Sequence, residues 1–260
     1  MTNGLKLTIL GAGTSTGVPV LGCDCAVCRS KEPLNQRTRC SVLLEWSDRK
    51  ILVDTATDLR QQALREDIER IDSVLFTHAH ADHLHGIDDL RAFNMTCGGS
   101  IPIYARSDVA ERIRTLFRYI FSDEATPGYR PRLELNVIDS TFELFGQMVI
   151  PIPLLHGPGA STGYRVGKLA YLTDCNAIPQ RSVELLQGLD LLVIDALRFR
   201  AHDSHFSVSE AVQMAQQLGA KRTLLTHLSH DVDYPRHAPG LPEGIEFAYD
   251  GQVVVVPHST

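Results

Sequence analysis

The segment Val74-Leu75-Phe76-Thr77-His78-Ala79-His80-Ala81-Asp82-His83 constrains this chain more than any other stretch of it. A short apolar run of strand type delivers its end into three histidines and an aspartate. Core packing gives no reason for a His-x-His-x-Asp-His run at a strand end. Side chains alternate along an extended backbone, so His78 and His80 point the same way, as two ligands of one metal ion require. If the chain then turns into a helix, Asp82 and His83 can face a second ion nearby. Neutral imidazoles with carboxylates suit zinc, and also manganese or iron.

Two ions held side by side need a bridging carboxylate and further histidines. Asp174 ends a strand read at 169–173, His227 ends one at 223–226, and His156 follows a strand-like run at 150–155. All three stand where a layered β protein presents loop-end ligands to one edge. A third cluster is cysteine-based: Gly22-Cys23-Asp24-Cys25-Ala26-Val27-Cys28 packs three soft ligands into one loop. A closed structural zinc site needs a fourth ligand, and His230, three residues after His227, can provide it. Cys40, Cys97 and Cys175 stand alone, so a disulfide framework is not indicated.

Composition sets the limits around these clusters. The 260 residues are 43% hydrophobic and 22% charged, which excludes a disordered or fibrous chain and leads us to expect one domain over 1–260. No apolar run approaches the ~18 residues that span a bilayer. The start, MTNGLKLTILGAG, does not read as a secretory signal, so a cytoplasmic protein with no membrane partner is expected. A net charge of -6 argues against broad nucleic-acid affinity. The six arginines between Arg106 and Arg132 are offset by four acids, so no strong basic patch forms there.

Between these motifs the chain reads as α/β. Strands are expected at 5–10, 41–46, 51–53, 74–76, 102–104, 135–138, 148–151, 164–166, 170–172, 191–194, 223–225 and 253–256, with a tight hairpin at Gly167-Lys168. Helices are expected within 58–66, after a capping box of Asp108 with Glu111, and after a second of Ser207 with Glu210 that Gly219 ends. The first boxed helix carries an apolar stripe through Val109, Ile113, Leu116, Phe117 and Ile120. The stretch 126–131 (TPGYRP) reads as a loop, either a pocket wall or a surface excursion.

With THAHADH and the acidic Leu52-Val53-Asp54-Thr55 in view, the chain resembles the metallo-β-lactamase superfamily along essentially its whole length. The resemblance implies an αβ/βα sandwich, two mixed β-sheets packed face to face with helices outside. It implies that His78, His80 and His156 hold one divalent metal (zinc or manganese), that Asp82, His83 and His227 hold the other, and that Asp174 bridges. Asp54 would orient a ligand. Lactam-cleaving members can place a cysteine where this chain has Asp174. The adjacent Cys175 faces opposite to Asp174 on an extended backbone, so only one of the two can reach the metals; the family pattern favours Asp174, and that departure weakens a lactamase reading.

The flanks narrow the resemblance. Gly11-Ala12-Gly13-Thr14-Ser15-Thr16-Gly17-Val18-Pro19, the three cysteines and Thr226-His227-Leu228-Ser229-His230 together resemble the branch that contains the phosphoribosyl 1,2-cyclic phosphate phosphodiesterase (PhnP). A related cysteine loop occurs in PqqB. In the PhnP branch, Cys23, Cys25, Cys28 and His230 would hold a structural zinc. Ser204-His205-Phe206-Ser207 matches the placement of the histidine that is not a ligand in phosphodiesterase and RNA-processing relatives.

His205 is thus the expected general acid, protonating a departing alkoxide that is otherwise a poor leaving group. His202 is its nearest competitor for that role. Asp82 is carried as a catalytic residue as well as a ligand. The expected reaction is in-line attack of a hydroxide, made available by two ions, on a small phosphodiester, with a cyclic ribose phosphate as one candidate. Arg198 and Arg200 either pair with a terminal phosphate of the substrate or are solvated surface charges. The alternatives are an RNA 3′-processing nuclease, a thioester or lactam hydrolase, and a PqqB-like carrier that binds without hydrolysis. A small-molecule partner and a homodimer are expected, with no nucleic-acid partner.

Overall fold

Strand after strand in this chain is apolar at consecutive positions, and the two faces of each strand go to different places. In β1 (Gly4–Gly11), Leu5, Leu7 and Ile9 enter one core cluster while Leu10 enters another. In β2 (Ser41–Trp46), Val42, Leu44 and Trp46 part from Leu43 in the same way, and in β3 (Arg49–Val53), Ile51 and Val53 part from Leu52. A strand buried on both faces needs a layer on either side of its sheet. The computed structural model, which describes residues 4–122 and 130–257, has those layers.

The first sheet continues through β4 (Ser73–Leu75), β5 (Ile101–Ala105) and β6 (Leu133–Val137). The second contains β7 (Phe142–Leu144), β8 (Gln147–His156), β9 (Gly159–Val166), β10 (Leu169–Leu172), β11 (Leu191–Asp195), β12 (Arg222–Thr226) and β13 (Ile245–Phe247). β14 (Val253–Pro257) returns to the edge of the first. Among the described residues each sheet has seven strands, in the orders β14-β1-β2-β3-β4-β5-β6 and β13-β12-β11-β10-β9-β8-β7. Both are mixed, since β3 to β6 run parallel and β10 to β13 run parallel while the remaining neighbours are antiparallel.

The inner faces meet in one apolar layer, where Leu7, Leu44, Ile51 and Leu75 share a cluster with Val149, Tyr164, Tyr171, Val193 and Leu224. Outside the first sheet lie α1 (Leu59–Arg65), the short α2 (Ala81–Leu84), α3 (Leu90–Cys97), α4 (Ser107–Leu116) and α5 (Arg118–Phe121). Leu59, Phe93, Val109 and Ile113 pack there with Leu52 and Val74. Outside the second lie α6 (Gln180–Glu184), α7 (Val208–Leu218) and α8 (Tyr234–His237). There Val183, Ala211, Ala215 and Leu218 pack with Ile194 and Leu225. The fold is the expected αβ/βα sandwich. No helix among the described residues is long and apolar enough to cross a membrane.

The local readings divide on physical grounds. Ser207 caps α7 as expected: its hydroxyl accepts from the Glu210 N–H, the Glu210 carboxylate accepts from the Ser207 N–H, and Gly219 closes the helix at φ 65°. The Asp108–Glu111 box does not form. α4 begins earlier, with extended Arg106 at its N-cap, which places Asp108 inside the first turn against the Arg106 guanidinium at 3.3 Å. The stripe also breaks at Phe117 (φ -112°, ψ 41°), so Ile120 belongs to α5.

Runs read separately at 148–151 and 150–155 are one strand, β8. Past Val149 its pairing with β7 ends, so Pro151 and Pro153 can turn their N–H-less side away from the β9 ladder. The three-residue strands β7 and β13 are too short to show a period and were not anticipated. The hairpin at Gly167-Lys168 forms, with Val166 opposite Leu169. Of the loop read at 126–131, the part up to 129 lies outside the described residues.

Candidate metal centre and its surroundings

Parallel strands end together, and here they end in polar residues. β3 runs into Asp54, β4 into Thr77 and His78, β10 into Asp174, and β11 ends on Asp195, while β12 runs into His227. β8, which approaches from the antiparallel half, ends on His156. Two matching devices hold the first and third of these corners. The Ser41 hydroxyl donates to the carbonyls of Val53 and Asp54, and the Ser161 hydroxyl donates to those of Thr173 and Asp174. Asp54, Asp174 and His227 all sit in the left-handed region, at φ 64°, 54° and 61°. That conformation turns each side chain out of its strand and toward the common edge.

After β4 the backbone stays extended through His80 (φ -72°, ψ 154°) and enters α2 at Ala81. Asp82 and His83 therefore project from a first helical turn, as the sequence reading required for a second ion.

The donor atoms form overlapping groups, two of them made of the expected ligands and a third joining Asp174 and His227 to His205. Ligand atoms of His78, His80, His156 and Asp174 lie within 4.8 Å of one another, as do those of Asp82, His83 and His227. Asp174 lies between these two groups. One of its oxygens is 3.7 Å from His78 Nε2, 3.9 Å from His156 Nε2 and 3.3 Å from His227 Nε2, and the other is 3.1 Å from His83 Nε2. Separations of this size are what donors sharing an ion at about 2.0–2.2 Å leave between themselves. The Nε2 atoms of His78, His83 and His227 are buried with no hydrogen-bond partner. Three buried nitrogens without hydrogen-bond partners, converging on one carboxylate, fit a metal site.

The other ring nitrogens show what aims them. His83 Nδ1 meets Asp54 Oδ2 at 2.6 Å, and Asp54 also accepts from the Thr77 N–H and hydroxyl. His156 Nδ1 donates to the Ser204 carbonyl at 2.7 Å. Such partners fix the tautomer and leave Nε2 free for an ion. Cys175 turns away into the core beneath α7, so of the neighbouring pair only Asp174 faces the centre.

Charge in the cluster is arranged for cations. Burial opposes ionisation of Asp174, yet His227, His83 and His78 outweigh it and hold the carboxyl well below the usual range. Burial likewise opposes a charge on His227, but Asp174 and Asp82 push it up to about 9, and the same acids with Asp54 hold His83 well above its ordinary value. His78 goes the other way, since burial and the neighbouring His83 both disfavour its protonation. Without an ion, the negative charge of the acids is thus balanced by protons on His83 and His227. A metal must displace those protons. Loading the metal-free protein at pH 7 in a weakly buffered indicator dye should release acid, and apparent affinity should rise with pH toward about 9. Affinity independent of pH between 6 and 8 would contradict this.

His205 stands at the rim. Its ring stacks on His227 at 4.6 Å and lies 4.8 Å from His156. Asp195 Oδ2 takes its Nδ1 at 2.7 Å, which leaves Nε2 facing the centre. His202 lies one ring further out, 5.2 Å from His205, with its Nδ1 engaged by Ser204. Asp195 was missed in the sequence. Its only signal is an apolar strand ending in a carboxylate, and its position between Asp174 and His227 follows from strand order. Arg200 is exposed beside Asp231, and the Arg198 guanidinium donates to carbonyls of its own loop. The cavity of about 540 Å³ against His78, His80 and His156 is lined instead by Arg112, Asp108, Ser204, Pro158 and the start of β9.

A second donor set lies beyond His227. His230 Nδ1 is 3.3 Å from Cys23 Sγ, 3.7 Å from Cys25 Sγ and 3.4 Å from Cys28 Sγ. A tetrahedral zinc with Zn–S of about 2.3 Å and Zn–N of about 2.0–2.1 Å leaves S···N edges of roughly 3.6 Å. The match holds for all three sulfurs. The Cys28 N–H donates to Cys25 Sγ and draws its pKa down, and the Val20 N–H donates to Cys28 Sγ.

Residues 49–228 match the Beta-lactamase superfamily domain. A crystal structure described as a new diphosphatase from the PhnP family superposes with a TM-score of 0.91, at 42% identity over 97% of each chain. An octanoyltransferase of Porphyromonas gingivalis is 37% identical over 97% of this chain, which spans about half (52%) of that longer protein. A ribonuclease Z of Acaryochloris marina is 24% identical over 98% of this chain and 94% of its own.

Proposed function

The chain belongs to the PhnP family of the metallo-β-lactamase superfamily, and from that premise we propose that it hydrolyses a small phosphodiester with two divalent ions at His78, His80, His156, Asp82, His83, His227 and the bridging Asp174. It is a hydrolase of the metallo-β-lactamase fold. The observation that carries the finer reading is His205: an imidazole held by Asp195 at the rim of the donor set, with one nitrogen turned to the centre.

When bound, divalent ions there supply Lewis acidity, lowering the pKa of water and offsetting charge on phosphoryl oxygens. The chain supplies the rest. The Asp195 carboxylate accepts the Nδ1 proton of His205 and stabilises its imidazolium form, in which Nε2 carries a second proton, the one that goes to the departing oxygen and leaves a neutral imidazole behind. Asp54 and the Ser204 carbonyl keep His83 and His156 from rotating. The cavity admits a substrate of nucleotide size beside His80 and His156, with Arg112 available to its negative charge. A diphosphate is the second reading, favoured by the 42%-identical diphosphatase, because its bridging oxygen needs the same proton.

The test joins a metal count on the purified protein to a substrate panel of bis(4-nitrophenyl) phosphate, a ribose cyclic phosphate, a nucleoside diphosphate, a thioester, a lactam and a tRNA precursor. We expect two ions at the histidine–aspartate centre, one zinc at the cysteines, and turnover of the diester or diphosphate. Turnover confined to the thioester, lactam or RNA would overturn the reading. An equal metal count in Cys25→Ala and wild type would remove the structural zinc.

A further inference from the structure

Arg37 is among the largest fully buried side chains of the protein, at 2% exposure; among the described residues its guanidinium hydrogen-bonds to no carboxylate, and Asp250 and Asp233 favour its charge only from further off. Burial draws its pKa down to about 10, which still leaves it charged at neutral pH. A buried cation without a contact ion pair is costly, so its hydrogen bonds must do something an apolar side chain could not. Nη1 donates to the Ser229 carbonyl at 3.2 Å, and Nη2 donates to the Val232 carbonyl at 2.9 Å and to Asn35 Oδ1 at 3.1 Å. The two carbonyls bracket His230.

The backbone of the same residue holds the other half of the cysteine site. Arg37 and Val18 exchange both their backbone hydrogen bonds at 2.8 Å, and Val18 packs with Val27 and Cys28 at the base of the cysteine loop. The remaining groups of the 227–230 segment are held from elsewhere: the Leu228 N–H donates to Ala12, the Leu228 carbonyl accepts from Thr14, and the Ser229 N–H donates to Leu197. Among these partners Arg37 is the one whose side chain holds the segment while its backbone pairs with Val18; Thr14 adds a second link by accepting from the Gly17 N–H. Three residues separate His227 from His230, a span of at most about 11 Å, so a shift of one reaches the other.

We propose that Arg37 is the positioning residue through which one short segment serves both metal sites, setting His230 against the three cysteines and, through the same carbonyls, His227 against Asp174. This inference rests on the reading of Cys23, Cys25, Cys28 and His230 as a zinc site. It does not depend on which ester is hydrolysed.

The test is the rate at which a chromogenic chelator strips zinc from the cysteine site, with the thiolate absorption of the cobalt-substituted protein as a second readout. Arg37→Met should release this zinc at least about tenfold faster and weaken the thiolate–cobalt band, as loss of a ligand-orienting partner does elsewhere. Its kcat should fall about tenfold at unchanged KM, because His227 moves while the substrate cavity does not. Arg37→Lys keeps the charge but not the fork, and should lie between Arg37→Met and wild type. It carries the test if Arg37→Met does not fold.

Trp46→Phe removes a buried hydrogen bond to the Phe145 carbonyl, at the opposite end of β2 from the Ser41 corner, and serves as the control for general destabilisation. Its zinc release should match wild type. Release from Arg37→Met at the wild-type rate, or equally fast release from Trp46→Phe, would overturn the proposal. A wild-type protein with no zinc at the cysteines would instead remove the reading beneath it.

Discussion

The His205→Ala protein is expected to retain its bound metal and lose about 10²- to 10⁴-fold in turnover of an alkyl diester, the range over which a positioned general acid acts. The loss should depend on the leaving group. An alkoxide needs the proton in the transition state, whereas 4-nitrophenolate departs readily without it, so bis(4-nitrophenyl) phosphate should lose far less. Asp195→Asn should follow the same pattern more weakly, because it disturbs the proton on Nδ1 rather than removing the imidazole. Metal analysis beside the kinetics decides what His205 does. It shares a donor group with Asp174 and His227 in this structure, so a ligand role is the specific competing account. Metal depletion in the His205→Ala protein would establish that account, and unchanged alkyl-diester turnover would take His205 out of the reaction.

Asp174→Asn should have the larger effect. The substitution preserves shape, and asparagine tolerates the left-handed backbone at φ 54°, so the fold should survive. What disappears is the negative charge facing His78, His156 and His227 on one side and His83 on the other. Both ions of the centre should be lost, while the zinc at Cys23, Cys25, Cys28 and His230 stays. Turnover should fall by at least about 10³-fold, since several kcal/mol of charge stabilisation goes with the ions. The result that would sink the bridging role is an Asp174→Asn protein that still binds both ions as tightly as wild type.

What could be read from the chain, and what could not, follows from how far apart in sequence the cooperating residues are. His78, His80, Asp82 and His83 were legible because one strand end and one helical turn hold them all. Asp174 and His227 were legible as polar endings of apolar runs once that motif had raised the question. Asp195 has the same local appearance, an apolar strand closed by an acid. It was passed over because β11 lies between β10 and β12 only in the folded sheet.

Arg37 is the extreme case. In sequence it is one cation within Asn35-Gln36-Arg37-Thr38-Arg39, and nothing local marks it as buried. The carbonyls that hold it lie almost two hundred residues away. The two capping boxes make the same point at short range. Both have an acceptor followed three residues later by glutamate, but only at Ser207 does the chain arrive in the conformation that puts the acceptor at the cap.

The left-handed corners at Asp54, Asp174 and His227 bear on how this protein would respond to selection. Each holds a side chain with a Cβ in a conformation that costs about 1–3 kcal/mol, and glycine would relieve that cost at all three while removing the chemistry. A library sorted for heat resistance alone, without an activity screen, should therefore gather inactive sequences first at these three positions. Stability and turnover are set against each other there by the backbone itself, so thermostable variants that keep activity must find their gains elsewhere in the sandwich.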